Sequence, residues 1–200
     1  MKSRPILFSA PMVIALLAGT KTQTRRIVKP VGKDHGFVVD ERDGFKPWPY
    51  RSDDGESVYH TVVRNGEEYQ DQTPHECPYG RRGDQLWVKE THARTDKPCA
   101  VHYRADDPLG VVMIGDNWKS SIHMPRWASR ITLEITNVRV ERLNEISEED
   151  AKSEGCNFGC DSLDWYRETW ESINGPGSWA LNPWVWVVEF KRLEQESSKP

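Results

Sequence analysis

The densest group of reactive side chains lies between Gly19 and Arg26, in the run GTKTQTRR. A lysine beside a hydroxyl group can carry acyl chemistry when burial lowers its pKa, because the neutral amine then accepts a proton. In an extended strand, Lys21 and Thr24 point to opposite faces, whereas a helical turn or tight loop brings them together. Arg26 lies two positions beyond Thr24 and shares its side of an extended chain. Residue types alone also fit an exposed basic loop.

Two further places carry side chains of interest. Glu90 ends the strand-like segment QLWVKE and is a second candidate carboxylate, although such a residue more often pairs with a neighbouring arginine. The segment HMPRWASR places Arg126 beside Trp127. Interleaved cations and aromatic rings suit phosphate contact and base stacking. A tryptophan that anchors a loop to the core is the alternative.

The cysteines and histidines raise the question of a metal. Together, His75, Cys77, Cys156 and Cys160 could form a Cys3His zinc site. Their spacing is loose and neither half is a C-x2-C knuckle. We therefore interpret the thiols as reduced side chains and predict no metal and no cofactor.

Composition limits the class of protein. The 200 residues include nine tryptophans, which predict a substantial core. The formal net charge of −4 means that any contact with nucleic acid must come from a local patch. The apolar run within Met1–Gly19 is broken by prolines and followed at once by cations, so we interpret it as a helix of the folded protein. The sequence predicts a cytoplasmic protein with no membrane span.

The surrounding elements follow from hydrophobic spacing and turn residues. We predict a helix over Pro11–Ala18, with Ser9 before it and Gly19 after it. Further helices are predicted in ISEEDAKSEG, where Ser147 and Asp150 resemble a capping box, and in DSLDWYRETWESING, whose buried stripe is Leu163, Tyr166, Trp170 and Ile173. Strands are predicted in QLWVKE, in RITLEITNVRVERL with a break at Asn137, and in NPWVWVVEFKRL. RNGE reads as a hairpin turn.

This order of elements predicts an α+β fold with a small antiparallel sheet or barrel. We expect a single domain over residues 1–195, with loop-rich insertions at about 31–82 and 92–127 and a tail at 196–200.

The run from Gly19 to Arg26 resembles the G-x-K-x-x-T-x-R pattern of the ASCH domain family, which has a PUA-like fold. The segments GDQLWV, ITLEITNVRVERL, ISEEDAKSEG and VWVVEF resemble later family elements in the same order. The resemblance covers about half of the chain. The insertions make the layout similar to the longer ASCH proteins of bacteriophages and prophages. The resemblance implies a small mixed β-barrel flanked by helices.

Some compact ASCH proteins are amidohydrolases that remove the acetyl group from N4-acetylcytidine. By position, the resemblance implies catalytic roles for Lys21, Thr24 and Glu154. Lys21 would take a proton from Thr24 or from a water, and Glu154 would orient the lysine or pass the proton to the leaving amine. Backbone N–H groups near Gly19, or Arg26, would stabilise the oxyanion.

Other family members are described as RNA-binding, so a non-catalytic module that binds RNA or a modified nucleotide is the alternative. In that case Lys21, Arg25, Arg26 and Lys29 would contact phosphate. A phage accessory protein that acts by protein contact is a third alternative.

Overall fold

The computed structural model describes residues 1–29, 50–51, 57–59, 61–64, 67–70, 75–94, 101–107, 109, 118–156 and 161–193. The strands are β1 (Ser3–Leu7), β2 (Gln23–Ile27), β3 (Tyr50–Arg51), β4 (Ser57–Tyr59), β5 (Thr61–Arg64), β6 (Glu67–Gln70), β7 (His75–Glu76), β8 (Gln85–Lys89), β9 (His92–Arg94), β10 (Val101–Tyr103), β11 (Thr132–Arg142) and β12 (Trp184–Leu193). The α-helices are α1 (Ala10–Leu17), α2 (Glu148–Ser153) and α3 (Ser162–Asn174). Short 3₁₀ turns occupy Arg104–Asp106, Ser121–His123, Arg126–Ala128 and Leu143–Glu145. Both predicted insertions are described only in part, and the predicted tail lies outside the described residues.

The central sheet has five strands in the order β1-β8-β11-β12-β2. β1 runs parallel to β8, and the other neighbours are antiparallel. The predicted α+β class is confirmed. The sheet is mixed, as the resemblance implied, and not purely antiparallel, because β1 joins it as a parallel edge strand. The sequence pattern alone did not reveal this strand.

β11 is one continuous strand, so the predicted break at Asn137 is wrong. Its pairing with β12 shifts register between Ile135 and Asn137, which is the signature of a β-bulge. The bulge changes the phase of apolar and polar residues and so looks like a strand end in the sequence. As an uninterrupted strand, β11 spans the middle of the sheet and carries Glu141 towards α2.

The two faces of the sheet carry separate apolar clusters. Alternate residues of β12 divide between them, since Trp186, Val188 and Phe190 join the larger cluster with α1. Val185 and Val187 join the smaller cluster with Tyr166 and Trp170 of α3. Strand β12 is therefore buried on both faces, as its continuous apolar sequence predicted.

The two edge strands of the sheet approach each other. The Arg26 Nη2 on β2 donates to the Leu7 carbonyl at the end of β1, with a distance of 2.8 Å. Among the described residues, no backbone pairing joins β1 to β2. The sheet therefore curls towards a barrel but leaves a seam between its edges, and this seam is bridged by a side chain.

The predicted helices are present. The Ser147 hydroxyl accepts from the Asp150 N–H at 3.1 Å, as the capping prediction requires. Helix α3 ends at Gly175, also as predicted. Ile173 was predicted in its buried stripe but is 55% exposed, because the last turn of α3 borders an open cavity.

Strands β5 and β6 form the hairpin predicted around RNGE, with Arg64 opposite Glu67. The two turn residues, 65–66, lie outside the described residues. Within the described part of the chain, no helix has both the length and the apolar character of a membrane span.

Candidate functional site

A buried ion pair joins the two loops that follow α1 and α2. The Lys21 Nζ lies 2.7 Å from Glu154 Oε2 and donates to the Glu154 carbonyl at 2.8 Å. The backbones of the two residues also form an isolated antiparallel bridge. Lys21 is only 2% exposed and Glu154 only 4%. Residues 133 positions apart in the sequence therefore form one unit that is largely shielded from water.

Local backbone conformation places Lys21. Helix α1 ends in a left-handed Gly19, with φ +76°. The N–H groups of Thr20 and Lys21 both donate to the Ala15 carbonyl, at 3.0 and 3.2 Å. The Gly19 N–H donates to the Leu16 carbonyl, so it is not free to hold an oxyanion as predicted.

Glu154 is placed by a second glycine. Gly155 has φ +105°, and a Cβ built there would lie 2.9 Å from the Ala15 Cβ and 3.4 Å from the Lys21 Cβ. Only glycine therefore lets the end of α2 approach α1 and Lys21 this closely.

Arg25 is buried among carboxylates. Its Nε donates to Glu141 Oε1 at 3.0 Å, its Nη2 to Asp150 Oδ2 at 2.7 Å, and its Nη1 to Glu154 Oε1 at 3.4 Å. Arg139 donates to the same Glu141 and Asp150 side chains. The guanidinium of Arg25 thus holds β2 against β11 and α2, and all three of its nitrogens are occupied. This leaves it little capacity for the phosphate contact that was predicted.

The environment changes the proton affinity of Lys21. Burial lowers its pKa, because the charged amine loses its hydration. The carboxylate of Glu154 opposes this shift, whereas Arg26 and Arg25 add to it. Lys21 therefore becomes a neutral amine at a lower pH than an ordinary lysine does. A neutral amine is the form that acts as a base.

A cavity of about 540 Å³ opens at the seam between β1 and β2. It is lined by Leu7, Phe8, Ser9, Met12, Thr24, Arg25, Arg26, Ile27, Lys29, Tyr79, Thr91, Ser121, Glu154, Tyr166, Thr169, Trp170, Ile173 and Asn174. Thr24 and Glu154 both line this cavity. Lys21 is not among the described residues that line it, but its Nζ lies 2.7 Å from the carboxylate of Glu154. Two of the three residues with predicted catalytic roles thus line one cavity, and the third, Lys21, lies directly behind Glu154. Their roles stay predictions.

The cavity walls combine aromatic rings with positive charge. Phe8 lies beneath two cations, with the Lys21 Nζ 5.6 Å and the Arg26 Cζ 5.4 Å from its ring centroid. Tyr166 and Trp170 of α3 form another part of the wall. The volume falls in the usual range of small-molecule sites. Such walls suit a flat heteroaromatic ring that carries a polar or anionic substituent.

Burial raises the pKa of Tyr166 well above its usual value, and the nearby charge of Glu154 adds to the shift. Its phenol therefore stays protonated and can donate a hydrogen bond at neutral pH.

The remaining predicted site residues lie elsewhere. Glu90 is 1% exposed, and both of its carboxylate oxygens accept from Arg130, at 2.9 and 3.0 Å. Arg126 and Trp127 are exposed in a 3₁₀ turn. None of these three predicted residues is among the described residues that line the cavity.

Where the structure describes the chain, no group of three or more His, Cys, Asp or Glu side chains is arranged for a metal ion. Burial raises the pKa of the Cys77 thiol to about 11, so this thiol stays protonated at neutral pH. A protonated thiol is a poor metal ligand. Cys160, the fourth member of the hypothetical zinc site, lies outside the described residues.

The sequence alone does not reveal the partners of Arg25 or the aromatic walls of the cavity. One signal was present, because Asp150 lies four residues before Glu154 and therefore on the same side of the α2 segment. Tyr166 and Trp170 were identified as an apolar stripe, but the stripe does not reveal that one of its edges faces a cavity. No sequence signal places Phe8 beneath the cations.

No family model matches the chain, and no curated protein matches it. In a comparison with solved structures, the fold is similar to a crystal structure of an ASCH domain from Lactobacillus crispatus JV V101. The TM-score is 0.41 and the sequence identity 15%, over 96% of this chain and 79% of that chain.

Proposed function

We propose that this protein is an ASCH-type amidohydrolase that removes an N-acyl group from a modified pyrimidine nucleoside of the N4-acetylcytidine type. One observation carries the proposal. A buried lysine of lowered pKa is hydrogen-bonded to a glutamate that lines an aromatic cavity, and a threonine lines the same cavity. The resemblance of the G-x-K-x-x-T-x-R run to ASCH amidohydrolases supports the same reaction.

The reaction is an acyl transfer to oxygen. Neutral Lys21 accepts a proton from the Thr24 hydroxyl or from a water in the cavity, and that oxygen attacks the acyl carbon. The new C–O bond forms, the C–N bond to the exocyclic nitrogen breaks, and the leaving amine receives the proton by way of Glu154. With water as nucleophile the products are a carboxylic acid and the amine. With Thr24 as nucleophile, a water then hydrolyses the threonine ester.

The side chains around these groups have distinct tasks. Phe8, Tyr166 and Trp170 hold the pyrimidine ring by stacking and packing. Arg26 is the cation closest to the seam and stabilises the oxyanion that develops at the acyl carbonyl. Arg25 keeps Glu154 in place, since it donates to the carboxylate oxygen that Lys21 leaves free.

The direct test is to incubate the protein with N4-acetylcytidine and to follow cytidine and acetate by chromatography. We expect release by the wild type and a loss of about a hundredfold or more in Lys21→Ala and Lys21→Arg, because neither side chain can act as a base. Lys152→Ala is the matched control, because Lys152 is an exposed lysine on the same helix that leads to Glu154. No release by the wild type, or equal release by Lys21→Ala, contradicts the proposal.

One observation favours a second function, in which the cavity only binds a modified nucleotide or RNA. Arg26 and Lys29 line the cavity, and within the described part of the chain neither has a carboxylate partner. Both could therefore neutralise a phosphate. In that case Lys21→Arg preserves binding, and binding weakens steadily as salt is added.

A further inference from the structure

A row of alternating cations and tryptophans begins on the outer face of β8. Leu86 and Val88 point into the core, so Trp87 and Lys89 point outward. The Lys89 Nζ and the Arg126 Cζ each lie 5.6 Å from the Trp87 ring. Two cations thus lie near the indole ring of Trp87.

The row continues into the 3₁₀ turn Arg126–Ala128. Arg126 is succeeded by Trp127, and the Arg94 Cζ lies 5.4 Å from the Trp127 ring. Trp127 is 61% exposed, which leaves much of its indole surface in solvent. We refer to Lys89, Trp87, Arg126, Trp127 and Arg94 together as the cation–tryptophan row.

The row is positive although the chain is negative overall. Among the described residues, none of its three cations has a carboxylate within 4.0 Å. The nearby carboxylates of Glu90 and Asp106 are both bound to Arg130 instead. Three cations without a carboxylate partner in the described part of the chain therefore lie together on a protein with a net charge of −4. This is the local patch that contact with nucleic acid requires.

The row starts at the mouth of the cavity. Lys89 lies opposite Leu7 in the pairing of β8 with β1, and Leu7 lines the cavity. The Lys89 ammonium also donates to the Ile122 carbonyl. The preceding residue, Ser121, lines the cavity as well. A polymer with one nucleotide in the cavity would therefore pass beside the row where it leaves the cavity.

We propose that the cation–tryptophan row binds a single-stranded nucleic acid, either RNA or DNA, whose modified nucleotide occupies the cavity. Bases stack on the indole rings of Trp127 and Trp87, and Lys89, Arg94 and Arg126 contact phosphates. A duplex is not expected to bind in this way, because its bases are already stacked on each other. The inference rests on the proposed function only in assigning the nucleoside to the cavity.

The test measures fluorescence anisotropy of labelled 12-nucleotide RNA, DNA of the same sequence, and the corresponding duplexes. We expect the wild type to bind a single strand more tightly than its duplex, and tighter binding of one of the two strands identifies the natural polymer. Trp127→Ala weakens binding about five- to a hundredfold, as expected for the loss of one base stack. Trp127→Phe restores much of the affinity. Because Trp127 is exposed, these changes are not expected to prevent folding.

A charge-matched pair of variants tests the phosphate contacts. Arg94→Glu/Arg126→Glu is expected to weaken binding and to flatten its dependence on salt. Arg82→Glu/Lys152→Glu changes the net charge equally at exposed positions outside the row and is expected to have a much smaller effect. Equal effects of the two double variants, or no binding by the wild type, overturn the inference.

Hydrolysis of free N4-acetylcytidine separates the two proposals. The row variants are expected to hydrolyse the free nucleoside like the wild type, because the row lies outside the cavity. If the wild type binds single strands through the row but hydrolyses nothing, the proposed function fails and the nucleic-acid surface stands. If the wild type hydrolyses the nucleoside but the row variants bind single strands as tightly as the wild type does, the proposed function stands and the nucleic-acid surface fails.

Discussion

Two buried glutamates, Glu154 and Glu90, form salt bridges with different kinds of cation. Glu154 is bound by Lys21 at 2.7 Å and by Arg25 at 3.4 Å, and it lines the cavity. Glu90 accepts from Nε and Nη2 of Arg130, at 2.9 and 3.0 Å, and is not among the described residues that line the cavity. Both carboxylates are buried, so burial alone does not distinguish the two glutamates. The identity of the cation beside each one does.

The difference is whether the cation beside each glutamate can lose its proton. Arginine stays protonated in proteins, so the Glu90–Arg130 pair is fixed in charge. Arg130 also donates to Asp106 at 2.7 Å, and its Cζ lies 3.9 Å from the Tyr103 ring. That cluster therefore fastens part of the predicted second insertion to the sheet. Lysine can give up its proton when burial lowers its pKa. Of these two clusters, the Glu154 cluster is therefore the one to which the proposed function assigns proton transfer.

The largest effect that should separate the two clusters is on the pH dependence of hydrolysis. Below the pKa of Lys21 the neutral fraction falls about tenfold per pH unit. Because burial lowers that pKa, the rate should rise with pH and level off below the ordinary lysine value of 10.5. The measurement is kcat for N4-acetylcytidine between pH 6 and pH 10.

The control for this profile is Glu90→Gln, which alters the other cluster and should leave the position of the rise unchanged. A rate that falls as the pH rises across this range rules out neutral Lys21 as the base.

The second-largest effect is on stability, and here we expect the Glu90 cluster to be more sensitive to substitution than the Glu154 cluster. Arg130→Met leaves Glu90 buried without a described cation, which typically destabilises a protein by about 3–5 kcal/mol. Lys21→Met should destabilise less, because Glu154 keeps Arg25 and because a lysine desolvated by burial is removed. Urea denaturation of the two variants gives the comparison. A larger loss for Lys21→Met would mean that the Lys21 pair is the main structural one.

The smallest effect concerns the close approach that positions Glu154. Gly155→Ala places a methyl group 2.9 Å from the Ala15 Cβ, at a residue with φ +105°. Gly177→Ala is the matched control, since Gly177 has φ +78° but nothing within 4 Å of the added methyl. In both variants an alanine is held at a positive φ, which lowers the free energy of unfolding by about 1–2 kcal/mol. Only in Gly155→Ala does the added methyl group also overpack its neighbours, which lowers the free energy of unfolding by about 1–3 kcal/mol more.

Thermal or urea unfolding measures this difference, and the hydrolysis assay should show that Gly155→Ala also slows the reaction. Equal losses of stability in the two variants would mean that α2 shifts without strain.

Most of the helices and central strands were predictable because their burial is periodic. The buried run of β12 and the stripe of α3 are visible in the sequence, as are Ser147 and Gly155 at the ends of α2. The two edge strands were not. β1 contains Pro5 and β2 reads QTRRI, so neither shows the alternation of a half-buried strand. The burial of Arg25 depends on Glu141 and Asp150, which lie more than 110 positions away.

The candidate site was predictable in part. The run from Gly19 to Arg26, together with the resemblance of the later helix, pointed to Lys21, Thr24 and Glu154, which the fold brings to one place. Their proposed roles stay predictions. The cavity itself was not predictable, because it arises where two sheet edges meet and where α3 passes over them. Neither condition is local in the sequence.

The seam between β1 and β2 has a consequence for solubility. A bare sheet edge offers unpaired backbone groups to other chains and is a common start of aggregation. Here β1 carries Pro5, and Arg26 of β2 reaches across to the Leu7 carbonyl. Charges and prolines at edges are the usual protection against such pairing. Arg26 therefore both lines the cavity and protects an edge of the sheet, so we expect its substitution to affect solubility as well as function.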